Sequence, residues 1–128
     1  MNSKTLNLLI LSVWVGLASA ATLIGAEPPA TPAAAPRVTF VELGSVKCIP
    51  YKMMQPVMKA IEQEYAGQVK VVFHDVWTDA GKPFGAQYRI RVIPTQVFLD
   101  KNGVEYFRHE GFFPKEELVK ILKQKGVK

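Results

Sequence analysis

The sequence is poorest in the residues that build metal centres and covalent frameworks. It has one cysteine, Cys48, so no disulfide can form within the chain. Its two histidines, His74 and His109, lack a partner at ligand spacing, which predicts no metal site and gives both a surface or structural role. Arginine-rich or aromatic-interleaved basic patches are missing. The formal charge of +5 is spread over lysines along the chain. The densest group, Lys120, Lys123, Lys125 and Lys128, is spaced as the solvated face of a helix, so nucleic acid is not an expected partner. There is no internal repeat. With 48% hydrophobic and 21% charged residues, the composition argues against wholesale disorder and against a polytopic membrane protein, and a length of 128 residues predicts one core.

What is present begins with a targeting pattern over residues 1–26. Lys4 supplies a positive start, Leu6 to Leu17 an apolar stretch, and Ala18-Ser19-Ala20 a small-residue cleavage site. This predicts export to the periplasm or an equivalent compartment. The alternative is a retained anchor in the inner membrane, because no charge interrupts the interval from Lys4 to Glu27, close to the roughly 20 residues of a spanning helix. Residues 27–36 read E-P-P-A-T-P-A-A-A-P, and their prolines favour an extended linker. The folded domain is expected over 37–128.

There the pattern alternates strand and helix. Val38 to Leu43 is a β-rich run ending at Gly44-Ser45, and Ile49 to Tyr65 carries apolar residues at helical spacing with Gly67 as a stop. Pro56 lies inside that helix, where its missing N–H predicts a kink. Val69 to Val76 is a second strand, expected to pair in parallel with the first through a right-handed crossover. A short helix near Phe84 to Tyr88 precedes a third strand, Thr95 to Leu99. Asp100-Lys101-Asn102-Gly103 predicts a hairpin with a type I′ turn into a fourth strand, Val104 to His109. Pro114 opens a last helix whose buried face is Leu118, Val119, Ile121 and Leu122. The fold class is therefore α/β: a central four-stranded mixed sheet flanked by helices, in the order β-α-β, short α, β-β-α. Trp77 is expected to pack at the end of the second strand, and Met53, Met54 and Met58 to fill the core rather than bind soft Cu(I).

In that order the motifs resemble thioredoxin. Lys47-Cys48-Ile49-Pro50-Tyr51-Lys52 is similar to the thioredoxin active-site loop, with Tyr51 in the place of the second cysteine. Ile93-Pro94-Thr95 resembles the cis-proline loop that binds substrate backbone, Pro56 matches the proline of the active-site helix, and Gly111 matches a glycine beside the substrate groove. Glu42, six residues before Cys48, matches the buried carboxylate that relays protons. The resemblance covers Arg37 to about Lys125 and lacks the extra N-terminal strand and helix of a full thioredoxin. It implies a thiol-disulfide oxidoreductase without cofactor.

Cys48 would stand at a helix N-terminus, where unpaired N–H groups and the macrodipole favour the thiolate, and Lys47 and Lys52 push the same way. The competing reading is a buried, inert cysteine. Tyr51 removes the thiol that would resolve a mixed disulfide. The expected partners are cysteine-containing exported proteins, with an external thiol for release. Two alternatives stay open: a redox-silent binding module that presents the cis-proline groove, and a dimer linked through Cys48. Glu42 is either a buried relay or an exposed strand residue, since alternation puts Phe40 and Glu42 on one face and Thr39, Val41 and Leu43 on the other.

Overall fold

The computed structural model describes residues 34–128. The chain enters β1 (Val38–Gly44), crosses through α1 (Ile49–Glu64) and returns in β2 (Val69–Asp75), which pairs in parallel with β1 from Val38↔Val69 to Gly44↔Asp75. Helix α2 (Lys82–Gln87) leads to β3 (Thr95–Asp100), antiparallel to β1, and β4 (Glu105–Glu110) pairs antiparallel with β3. Helix α3 (Lys115–Lys123) follows. The sheet order is β2-β1-β3-β4. The targeting segment at 1–26 and most of the linker fall outside the described residues, and no described helix is long and apolar enough to cross a membrane.

The sheet is covered on both faces, which settles the alternation in β1. On one side Phe40 and Phe98, stacked at 5.0 Å, meet Met54 and Ile61 of α1 and Leu118 and Leu122 of α3. On the other, Val41, Leu43 and Val97 pack with Phe84 and Tyr88 of the α2 region and with Ile90. A strand between two layers has no solvent face, so Glu42 is fully buried although it alternates with apolar residues.

Local rules account for the helix boundaries. Cys48 caps α1 and Pro50 lies in its first turn, where an N–H would have no partner; Pro56 sits inside the helix without ending it. Pro114 caps α3, with Glu116 and Glu117 in its first turn and Lys120 and Lys123 in its last, matching the helix dipole at both ends.

Two expectations are corrected. The β3–β4 hairpin is not type I′, which needs two positive φ values, because only Gly103 has one, at +77°. Asp100 makes the difference: its Oδ1 accepts the N–H groups of Asn102 at 2.8 Å and Val104 at 3.1 Å, a local Asx-type arrangement that competes with the tighter turn. Met53 is not in the core. Helical rotation turns it out to 50% exposure while Met54, next to it, is fully buried.

Candidate active site at Cys48

Parallel pairing of β1 with β2 and antiparallel pairing of β1 with β3 bring four connections to one end of the sheet. They are the loop from Gly44 to Cys48, the turn after Asp75, the approach to Thr95, and the segment after Glu110. Leu43↔Thr95 and Thr95↔Glu110 are the last register pairs before these loops. The Ile93–Pro94 peptide is cis. Gly111, at φ +91°, donates its N–H to Pro94 O at 2.8 Å, so the proline loop and the glycine are hydrogen-bonded neighbours. Thr95 is buried, and its Oγ1 donates to Val92 O at 2.7 Å, which fixes the other side of the loop.

Cys48 is half-buried and extended, at φ −88° and ψ 129°, as an N-cap requires. Its N–H donates to Ser45 O at 2.9 Å, and its carbonyl accepts the Lys52 N–H at 3.1 Å, the first bond of α1. No side-chain hydrogen bond engages its sulfur as a cap. Lys47, Ile49, Pro50 and Lys52 around it are exposed, Ile49 by 71%.

Tyr51 lies on the inner side of the same turn, 4% exposed. Its ring stacks on Phe73 at 4.4 Å and passes so close to Gly44 that an added Cβ there would meet Tyr51 Cδ2 at 2.9 Å. The ring is therefore part of the site's wall, and replacing it with cysteine would empty a packed space rather than restore a small residue mildly. Burial raises the pKa of its phenol, the carboxylates of Glu42 and Asp75 add to this, and a hydrogen bond with Gln55 opposes it.

Glu42 is opposite Phe73 on β2 and Gln96 on β3. Its Oε1 accepts Gln96 Nε2 at 3.2 Å. Burial pushes its pKa from the ordinary 4.5 up to about 8, and the Gln96 hydrogen bond offsets only part of that. A carboxyl that titrates near neutrality can hold or release a proton there.

Three contributors were not legible as site residues. Asp75 joins two of the loops: Oδ2 accepts the Val46 N–H at 3.2 Å and Oδ1 the Trp77 N–H at 3.1 Å. Partial burial pushes Asp75 up, yet those N–H groups, the Ser45 hydroxyl and the Lys47 charge together hold it below the usual range. Trp77 does not pack as expected. The turn around Asp75 leaves it 62% exposed, beside Val76, Ile90 and Val92 in a cleft of about 510 Å³. Gln96 carries the only sequence signal of the three, a carboxamide inside the apolar run Thr95-Gln96-Val97-Phe98-Leu99. His74 and His109 are structural, stacked on Phe84 at 3.6 Å and on Phe113 at 4.2 Å; burial lowers the pKa of His74. Among the described residues no group of acidic, histidine and cysteine side chains is arranged to hold a metal.

Residues 30–126 match the thioredoxin-like domain family. The chain belongs to the thioredoxin-like family. It is 38% identical over 77 residues to the thioredoxin of Haemophilus influenzae, a match covering 60% of this chain and 69% of that protein. It is 32% identical over 85 residues to a thioredoxin of Staphylococcus aureus, covering 66% and 79% respectively. Among solved structures, chloroplastic thioredoxin z superposes with a TM-score of 0.61 at 28% identity, over 69% of this chain and 77% of that one. Membership of the thioredoxin-like family supports a thiol-disulfide oxidoreductase-like function, and Cys48 is the only thiol available for it.

Proposed function

We propose that this domain carries out thiol-disulfide exchange through Cys48 alone, on cysteines of other exported proteins. The observation that carries this reading is the placement of its exposed apolar side chains. Among the described residues, all the large ones except Val104, namely Val46, Ile49, Met53, Trp77, Val92 and Phe112, lie on the Cys48 loop, the outer turns of α1, or the three loops beside it. Apolar surface gathered around a half-buried thiol suits an extended peptide substrate. The Cys48 thiolate attacks one sulfur of a substrate disulfide, forming a mixed disulfide and expelling the other sulfur as a thiolate that takes up a proton. With tyrosine at 51, release falls to an external thiol: its thiolate attacks the mixed disulfide, and one sulfur leaves while the other remains bonded to the attacker. Glu42 serves as the nearby proton store. The targeting pattern of residues 1–26 supports a periplasmic or equivalent setting, where disulfides persist.

The test is incubation of the protein with a disulfide-bonded peptide, without other thiols, followed by intact mass measurement. A stable adduct at Cys48 is expected, absent from Cys48→Ser and released by added glutathione. Failure of Cys48 to form any adduct would leave the binding-module reading, which the locked Tyr51 ring favours: a peptide would then be held in the Pro94 groove without exchange.

A further inference from the structure

Among the described residues, the buried side-chain nitrogen and oxygen atoms without a hydrogen-bond partner are two, Glu42 Oε2 and Gln96 Oε1. They belong to side chains already joined by their other atoms, Gln96 Nε2 donating to Glu42 Oε1 at 3.2 Å, and the two residues are direct register partners across β1 and β3. An ionised carboxylate would leave both orphans as acceptors with no donor between them. A single proton on Oε2 changes this, because the carboxylic O–H can donate to Gln96 Oε1 and satisfy both atoms at once.

We propose that Gln96 is the positioning residue for Glu42, closing with it a two-bond acid–amide ring that fixes the carboxyl proton on Oε2. The surroundings leave the ring without a charged competitor. Glu42 faces Phe73 from β2 and lies close enough to Tyr51 of α1 to raise that phenol's pKa, and Gln96 is opposite His109 of β4, whose ring is stacked on Phe113. Asp75 closes the end of β2, and none of the ion pairs among the described residues involves Glu42. The ring keeps the floor of the site uncharged at neutral pH. Loss of its proton puts a negative charge beside Tyr51, in the first turn of the helix that carries Cys48. Resting here on the exchange reading, the inference is that this charge opposes the sulfur anions formed during exchange, so the ring sets the pH at which Cys48 slows.

Infrared spectroscopy reads the ring directly. The wild type at about pH 6 should show a carboxylic C=O band that Glu42→Gln removes and that fades as pH passes the Glu42 titration. Gln96→Leu should move this band to higher frequency as its hydrogen bonds are lost. An unchanged band in Gln96→Leu, or no acid band in the wild type, would overturn the ring. Should Gln96→Leu not fold, the side-chain N–H₂ resonances of Gln96 in the wild type decide: they should titrate with the Glu42 midpoint, and their insensitivity to pH would equally overturn it. For the effect on Cys48, the rate of adduct formation with 5,5′-dithiobis(2-nitrobenzoate) is followed against pH. The wild-type profile should bend at the Glu42 titration, and Glu42→Gln, which closes an isosteric amide–amide ring without ionising, should lack the bend. A bend that survives in Glu42→Gln would overturn the coupling. Absence of adducts from every protein would remove the exchange reading and with it the coupling, while the band and the Gln96 resonances still decide the ring.

Discussion

By the resemblance of residues 47–52 to the thioredoxin active-site loop, Tyr51 takes the place of the second thiol, and its ring fills the space between Gly44 and Phe73. Its replacement therefore has two opposite effects. Tyr51→Cys should allow release of a Cys48-linked substrate without added thiol, yet lose about 3 kcal/mol of stability through the cavity left by a buried aromatic. Urea denaturation and adduct lifetime measure the two separately. Gly44→Ala should destabilise by about 1–3 kcal/mol because its Cβ would press on the Tyr51 ring, and that penalty should shrink in the Tyr51→Cys background. The first of these effects was legible as a missing thiol. The second was not, because β1 and β2 meet Tyr51 only after the chain has crossed over. Glu42 carries a pH dependence with a definite sign. Its folded pKa of about 8 exceeds the ordinary 4.5, so the folded state binds an extra proton between those values. The stability it contributes is complete below about pH 4.5, falls as pH rises, and is gone above about pH 8. Glu42→Gln should flatten this slope, worth on the order of a few kcal/mol in denaturant midpoints across the window.

At the scale of elements, the site is held by loops that share partners rather than by any one strand or helix. Asp75 ends β2 and ties the Cys48 loop to the Trp77 turn through two N–H groups. Asp75→Ala should leave the sheet intact, speed amide hydrogen exchange at Val46 and Trp77, and shift Trp77 fluorescence; unchanged exchange at both amides would show that the loops hold without it. The elements themselves were readable because each carries its own signals: the apolar spacing of α1 and α3, the prolines at their starts, the β-rich runs. Departures from expectation arise where a side chain competes with the backbone or where rotation along a helix separates neighbouring side chains. Asp100 reshapes the β3–β4 turn through its own carboxylate, and helical rotation decides between Met53 and Met54.

At the scale of the molecule, two facing layers around one sheet bury both sides of β1 and, among the described residues, leave the large exposed apolar side chains other than Val104 at a single end. Ile49 and Val92 are exposed at that end, 71% and 47%, so substitutions there should weaken peptide capture with little change in folding, unlike those at the buried Tyr51 and Glu42. The targeting pattern makes a prediction of its own: mass measurement of the protein recovered from an exporting host should give a mature start at Ala21 or slightly beyond. An intact Met1 in the membrane fraction would instead identify a tethered domain.

The linear order of residues determined the class of fold, the position of Cys48 at a helix start and the lack of a second thiol, because these depend on periodicity, capping and the identity of single residues. Glu42 was visible as a candidate, and its environment was not. Whether a carboxyl in a β-rich run meets water depends on helices packed on both faces of the sheet, α1 and α3 on one and the α2 region on the other. Gln96, Asp75 and the Tyr51 wall were likewise settled by strand pairing, which places residues 54 or 29 positions apart within one hydrogen bond of each other. Only the tertiary structure could decide which polar groups were left to satisfy one another out of reach of solvent.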